Sequence, residues 1–134
     1  MSNFVTSNSG PLRGTIKVPG DKSISHRSIM LGSIADGLTR VSGFLEGEDS
    51  LATLNAFKEM GVNIERDGSS VVIHGVGMRG LKKPKNPLNL GNSGTSIRLM
   101  SGLLSAQEFD SELCGDESLS TRPMGRVINP LREM

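Results

Sequence analysis

Hydrophobic and polar positions follow two rhythms along this chain. Gly14-Thr15-Ile16-Lys17-Val18 alternates and stops at Pro19-Gly20, which predicts a short strand. From Ser23 to Ala35 the apolar residues Ile24, Ile29, Met30, Leu31, Ile34 and Ala35 fall at roughly helical spacing, and Asp36-Gly37 closes the run. Leu38 to Phe44 predicts a second strand. Asp49-Ser50 can cap a helix whose buried stripe is Leu51, Leu54, Phe57 and Met60, with Gly61 as its stop. Val62 to Glu65 and Ser70 to His74 alternate around Asp67-Gly68, a strong hairpin signal. The first unit therefore reads strand, helix, strand, helix, strand, strand. Gly75 to Asn86, rich in Gly, Pro and Lys, reads as a connecting loop. The rhythm then restarts with a strand at Leu88-Asn89-Leu90, a helix from Thr95 to Ala106, a strand from Ser111 to Cys114 and a helix from Met124 to Met134.

The restart is an internal repeat. Gly20-Asp21-Lys22-Ser23-Ile24-Ser25-His26-Arg27 corresponds to Gly91-Asn92-Ser93-Gly94-Thr95-Ser96-Ile97-Arg98, with both the Gly and the Arg 71 residues apart. Ala56-Phe57-Lys58-Glu59-Met60 matches Pro130-Leu131-Arg132-Glu133-Met134, so the spacing drifts to 74. A repeated unit needs its neighbours to bury its apolar face. The 134 residues are therefore expected to be a piece of a larger protein, holding about one and a half repeats. Helices alternating with strands imply helices packed on sheets, an α/β (α+β) class.

Composition narrows the function. Fifteen basic and 14 acidic residues give a net charge of +1, so no bulk field favours nucleic acid or a membrane surface. Trp and Tyr are absent and Phe occurs four times, which argues against stacking on single-stranded nucleic acid. No apolar run is long enough to span a membrane, and Met1 to Gly10 lacks a signal-peptide layout. Cys114 cannot form an internal disulfide, which fits a reducing compartment. In a strand it is expected to be buried and inert. The nearest thing to a charge block, Lys82-Lys83-Pro84-Lys85, reads as a solvated loop. His26 and His74 suggest no metal site and are expected to be structural.

Each copy places a Gly-turn directly before a helix. Such an end presents free N–H groups and a partial positive charge, suited to a phosphate or carboxylate. In the first copy Lys22 and Ser23 sit at that end and Arg27 lies one turn after Ser23. An ammonium, a hydroxyl and a guanidinium could surround one anion, Arg gripping it through two parallel bonds. The alternative is a capped helix with solvent-facing Lys and Arg. A P-loop is excluded, because Asp21 separates Gly20 from Lys22 and Thr15 stands where the first Gly is required. In the second copy Gly91, Asn92, Gly94 and Thr95 precede the helix, either as a close backbone approach to a ligand or as a tight turn with Thr95 as N-cap. Arg98 reads as a structural partner. Thr121-Arg122-Pro123 opens the last helix with Pro123 in its first turn, leaving Arg122 just outside a helix end where a second anion could dock. Glu48 and Asp49 read as helix-capping acids.

Together these segments resemble a known family. Val18-Pro19-Gly20-Asp21-Lys22-Ser23-Ile24-Ser25-His26-Arg27 is similar to the first signature of the 5-enolpyruvylshikimate-3-phosphate synthases, Leu90-Gly91-Asn92-Ser93-Gly94-Thr95-Ser96-Ile97-Arg98 to the second, and Thr121-Arg122-Pro123-Met124 to the third. The match runs from about Arg13 to the end, in the family's order and spacing. It implies a cytoplasmic shikimate-pathway enzyme of aromatic amino-acid biosynthesis, without cofactor or metal. Such an enzyme moves the enolpyruvyl group of phosphoenolpyruvate to the 5-hydroxyl of shikimate 3-phosphate and releases phosphate. Lys22, Ser23 and Arg27 would then hold shikimate 3-phosphate, and Lys22, Gly94 and Arg122 phosphoenolpyruvate, with Lys22 catalytic and Asn92, Thr95 and Arg98 in support.

The family's fold has two similar domains, each of three such units, with the active site between them. Residues 1–19 would form an N-terminal crossover strand and 20–134 a partial domain, with a first repeat and connector at 20–87 and a truncated second repeat at 88–134. The proton-transferring carboxylates and lysine would lie outside this chain, so alone it is expected not to turn over substrate. It would need the remainder of its parent chain, and its uncovered apolar faces could drive self-association. Many glyphosate-sensitive members have Pro after the second-motif Arg, where Leu99 stands. The related transferase acting on UDP-N-acetylglucosamine has Lys-Asn at the place of Lys22-Ser23 and commonly a loop cysteine where Glu117 aligns. A non-catalytic anion-binding domain is the alternative from another class.

Overall fold

The computed structural model describes residues 3–134. Its elements are α1 (Lys22–Ile34), β1 (Asp36–Val41), α2 (Glu48–Glu59), β2 (Asn63–Asp67), β3 (Ser70–Val76), β4 (Leu88–Asn89), α3 (Gly94–Ser105), β5 (Leu113–Cys114), α4 (Glu117–Ser120) and α5 (Gly125–Glu133). The helix-strand alternation read from the sequence is present, with one addition and one loss. The short helix α4 was not anticipated. The strand expected at Gly14 to Val18 does not form. Alternation alone does not make a strand, because its N–H and C=O groups need a partner. Here Ile16 is 86% and Val18 70% exposed, and no strand among the described residues pairs with them.

β1, β3 and β2 form an antiparallel sheet in the spatial order β1-β3-β2. Asp67 pairs with Ser70, so the two-residue loop of the hairpin is Gly68-Ser69, one position later than expected. α1 and α2 pack on each other, and α1 lies on β3. Its contact stripe is Ser25, His26, Ile29, Met30, Gly32 and Ser33. Gly32 allows the close approach: a Cβ there would stand 2.8 Å from Ile73 Cδ1. The apolar residues Ile24 and Leu31, part of the same helical spacing, are 59% and 62% exposed. α1 thus carries two stripes, and the mixed polar one faces inward.

α2 buries Leu54 and Phe57, with Leu51 half-buried and Met60 buried at its C-cap. Gly47, rather than Asp49 or Ser50, is its N-cap, and Glu48 and Asp49 occupy the first turn, where acids complement the helix dipole. It ends as expected at Gly61. Val62 N–H donates to Phe57 O (3.1 Å) and Gly61 N–H to Lys58 O (3.0 Å), a Schellman motif with Gly61 at φ +88°.

In the second copy β4 and β5 pair in parallel, Leu88 opposite Leu113, with α3 as the crossover. α5 packs on α3. It starts at Gly125 behind an N-cap at Met124, so Pro123 precedes the helix rather than entering its first turn. One buried apolar cluster serves both copies, running from Ile29, Phe57 and Ile73 to Leu88, Leu90 and Met100. Cys114 is only half-buried, its thiol 3.7 Å from Leu88 O.

The approach to α1 is tight. A Cβ on Gly20 would run into the carbonyl of Gly43, in the turn between β1 and α2. Gly43 itself is at φ +73°.

Candidate functional site

Asp21 caps α1, its carboxylate accepting the Ile24 N–H at 2.7 Å. Lys22 is therefore the first helical residue, and its ammonium turns across to Asp49 in the first turn of α2. The two line a hollow with Leu45, Gly47, Glu48 and Ser50. Ser23 is half-buried and Arg27 exposed. Arg27 borders a different surface, an apolar groove between α1 and α3 lined by Met30, Leu31, Ile34, Leu99 and Leu103. Lys22, Ser23 and Arg27 share the first turns of α1, but Lys22 faces α2 and Arg27 faces α3.

The second-copy residues do converge. Ser93, not Thr95, caps α3, its hydroxyl accepting the Ser96 N–H at 3.1 Å. Thr95 is half-buried in the first turn. Arg98 folds back over Gly94, its Nη1 donating to Gly94 O at 3.1 Å and its Nη2 to Pro123 O at 3.4 Å. Arg122, arriving from the α4–α5 connection, donates to Asn92 Oδ1. Asn92 in turn donates through Nδ2 to Asp116 Oδ2 at 2.7 Å. A Cβ on Gly94 would stand 2.8 Å from Nη1 of both Arg98 and Arg122. The missing side chain is what lets two guanidiniums meet at the start of one helix. Neither is ion-paired with a carboxylate among the described residues. The arrangement brings two cations to the N-terminus of one helix, a combination suited to a carboxylate or phosphate.

Between these two groups lies a buried polar cluster. His26, one turn after Lys22, places Nδ1 2.8 Å from Thr53 Oγ1 and 3.1 Å from Ser96 Oγ, and Nε2 3.4 Å from Ser93 Oγ. All four side chains are buried. Burial is the main cause that lowers the His26 pKa below the usual 6.5; the nearby Lys22 charge adds to it and Asp49 opposes it. His26 is thus held inside the fold by three hydroxyls. His74 is exposed, 3.3 Å from Glu65.

Sequence reasoning missed Asp49 as the partner of Lys22, Asp116 as the anchor of Asn92, and the cluster of Thr53, Ser93 and Ser96. Two of these carried a local signal. Asp116 stands before Glu117 at a helix start, and Ser93 and Ser96 sit three apart, as a cap and its target do. The Lys22–Asp49 pair joins two helices and left none.

The family model for EPSP synthase (3-phosphoshikimate 1-carboxyvinyltransferase) matches residues 6–134. The 3-phosphoshikimate 1-carboxyvinyltransferase of Ruthia magnifica subsp. Calyptogena magnifica is 71% identical over the whole chain, which covers 31% of that relative. The one from Hydrogenovibrio crunogenus is 62% identical and covered to the same 31%. A solved structure of EPSP synthase from Acinetobacter baumannii superposes with a TM-score of 0.86 at 65% identity, over 90% of this chain and 28% of that one. The chain spans about a third of the length of these relatives, and the motifs that meet around Gly94 lie within the matched stretch. With its helix-strand order, its paired Gly-turns and a family match over nearly all its residues, the chain belongs to the EPSP synthase (3-phosphoshikimate 1-carboxyvinyltransferase) family.

Proposed function

We propose that this chain supplies one part of an enzyme that transfers the enolpyruvyl group of phosphoenolpyruvate to the 5-hydroxyl of shikimate 3-phosphate, in the cytoplasm, releasing phosphate. The observation that carries the reading is the pair of guanidiniums, Arg98 and Arg122, closing on the bare Cα of Gly94. In this reading Arg122 and the α3 N-terminus at Gly94 receive phosphoenolpyruvate, with Asn92, Thr95 and Arg98 holding that end in shape. Ser23 and Arg27 take shikimate 3-phosphate, and Lys22 reaches both substrates once it exchanges Asp49 for a ligand. The 5-hydroxyl oxygen, giving up its proton, bonds to the enol carbon bearing the phosphate while the double bond opens and the methylene carbon takes up a proton. The tetrahedral adduct then loses a proton from that methyl group and expels phosphate, restoring the double bond. Oriented cations stabilise the charge on the way, and binding both reactants removes much of the entropic barrier. Proton transfer is left to residues beyond this chain. Residues 1–19 act as a crossover segment, while 20–87 and 88–134 form successive repeats.

The test grafts these 134 residues in place of the matching third of the Ruthia magnifica relative. Phosphate release from phosphoenolpyruvate is then measured with shikimate 3-phosphate or UDP-N-acetylglucosamine as acceptor. Release is expected from the chimera with shikimate 3-phosphate alone, and not from the 134-residue chain by itself. A folded chimera that stays silent while the relative turns over would favour a non-catalytic anion-binding domain. The exposed Ile24, Leu31 and Leu99 support self-association of the isolated chain; a stable monomer in sedimentation velocity would overturn that part.

A further inference from the structure

The polar cluster between the two cation groups closes into a ring. His26 Nε2 meets Ser93 Oγ at 3.4 Å, Ser93 Oγ meets Ser96 Oγ at 2.8 Å, Ser96 Oγ meets Thr53 Oγ1 at 2.5 Å, and Thr53 Oγ1 returns to His26 Nδ1 at 2.8 Å. These four links close the ring, and Ser96 Oγ also lies 3.1 Å from His26 Nδ1, a fifth contact across it. Three hydroxyls and one neutral imidazole bring four hydrogens, one for each link of the ring, so the fifth contact can only share one of them. Either neutral tautomer closes the ring, in one direction or the other. A protonated imidazole would bring a fifth donor and force one hydroxyl to turn outward, toward Asp49 O, which lies 3.3 Å from Thr53 Oγ1.

The ring joins three helices at the ends where the candidate ligands would bind. His26 stands one turn after Lys22 in α1. Ser93 and Ser96 bracket Gly94 at the start of α3. Thr53 stands one turn after Asp49, the residue that holds Lys22. Apolar packing alone would let these ends slide, whereas four directional bonds in a buried space resist it.

We propose that His26 is a positioning residue for enolpyruvyl transfer. Through the ring with Thr53, Ser93 and Ser96, it fixes the spacing between the Lys22 end of α1 and the Gly94 end of α3. The inference rests on the functional reading above. Its sharpest probe is Thr53, on α2, which belongs to neither proposed substrate group. In the chimera, Thr53→Val keeps the shape but removes two of the five contacts, and with them the tie of the ring to α2, while Thr53→Ser keeps the hydroxyl. Misplacement of about 1 Å costs up to about 100-fold in rate, so Thr53→Val is expected to lower kcat/KM for phosphoenolpyruvate about 10- to 100-fold. Thr53→Ser should stay within about 3-fold by the same measure. His74→Gln, on the exposed hairpin, should leave turnover unchanged. A folded Thr53→Val that keeps kcat/KM within about twofold would overturn the proposal, as would a Thr53→Ser that loses as much as Thr53→Val. Should Thr53→Val not fold, Ser96→Ala removes three contacts from the α3 side and is read in the same way. An unmodified chimera without activity would instead strike at the functional reading, so the two failures are distinguishable.

Discussion

The two helix ends that open the repeats solve the same electrostatic problem differently. At α1 a lysine half in solvent is held by one carboxylate from a neighbouring helix. At α3 two arginines are held by carbonyl and amide oxygens, from Gly94, Pro123 and Asn92, with Asp116 one step further back. The first arrangement is charge-neutral and must exchange a partner before it can take an anion. The second keeps its positive charge unpaired and its geometry already set. One end thus adapts and the other is preorganised, and the difference lies in whether the cation rests on a charge or on dipoles.

The comparison can be broken most strongly at Gly94. Gly94→Ala puts a methyl 2.8 Å from both guanidiniums, and neither is free to move without losing its oxygen partners. In the chimera, KM for phosphoenolpyruvate is expected to rise about 100-fold, read from steady-state kinetics; an unchanged KM would remove Gly94 from the site. Arg122→Lys keeps the charge but not the planar fork, and a loss of about 10-fold in kcat/KM is expected. A Lys variant as active as the parent would show that dipole-held geometry matters less than charge.

The joint between the two ends offers a pH test. Because the His26 pKa is lowered in the folded state, the unfolded chain takes up the proton first. Stability is therefore full above about 6.5 and declines as pH falls below that value. Urea midpoints of the 134-residue chain at pH 7.5 and 5.5 should fall further for the parent than for His26→Gln, and equal falls would refute the assignment. The smallest effect is expected at the adaptable end. Asp49→Asn removes the partner of an exposed Lys22 and should cost only about 0.5 kcal/mol of stability. Calorimetry of shikimate 3-phosphate binding to the chimera should show tighter binding, since the competing carboxylate is gone. Weaker binding would mean that Asp49 holds Lys22 in its working position.

How much of this was legible follows from the range of each interaction. The stripe of α2, its Gly61 stop and the β2–β3 hairpin are set by residues within a few positions of one another; the first two form as read, and the hairpin forms with its loop one position later. The strand at Gly14 to Val18 needed a neighbour that local alternation cannot supply. The inward face of α1 does not follow its apolar positions, because Ser25, His26 and Ser33 are buried while Ile24 and Leu31 are exposed. The hydrogen bonds that take His26 inside come from Ser93 and Ser96, 67 and 70 residues away. Likewise, the candidate site residues Asn92, Gly94, Arg98 and Arg122 were named from their motifs. Their meeting over one Cα depends on the chain returning through α4, an element the pattern did not announce.

The crossing of Gly20 and Gly43 shows two reasons for one residue. Gly20 has no room for a methyl, whereas Gly43 has open space around it and a backbone of the opposite hand. A ribosome answers both with the only achiral letter in its alphabet. Chemical synthesis can tell them apart: D-alanine suits the handedness at 43, whereas at 20 the obstacle to L-alanine is the Gly43 carbonyl that its methyl would meet. One glycine there records a shortage of space, the other a shortage of D-amino acids.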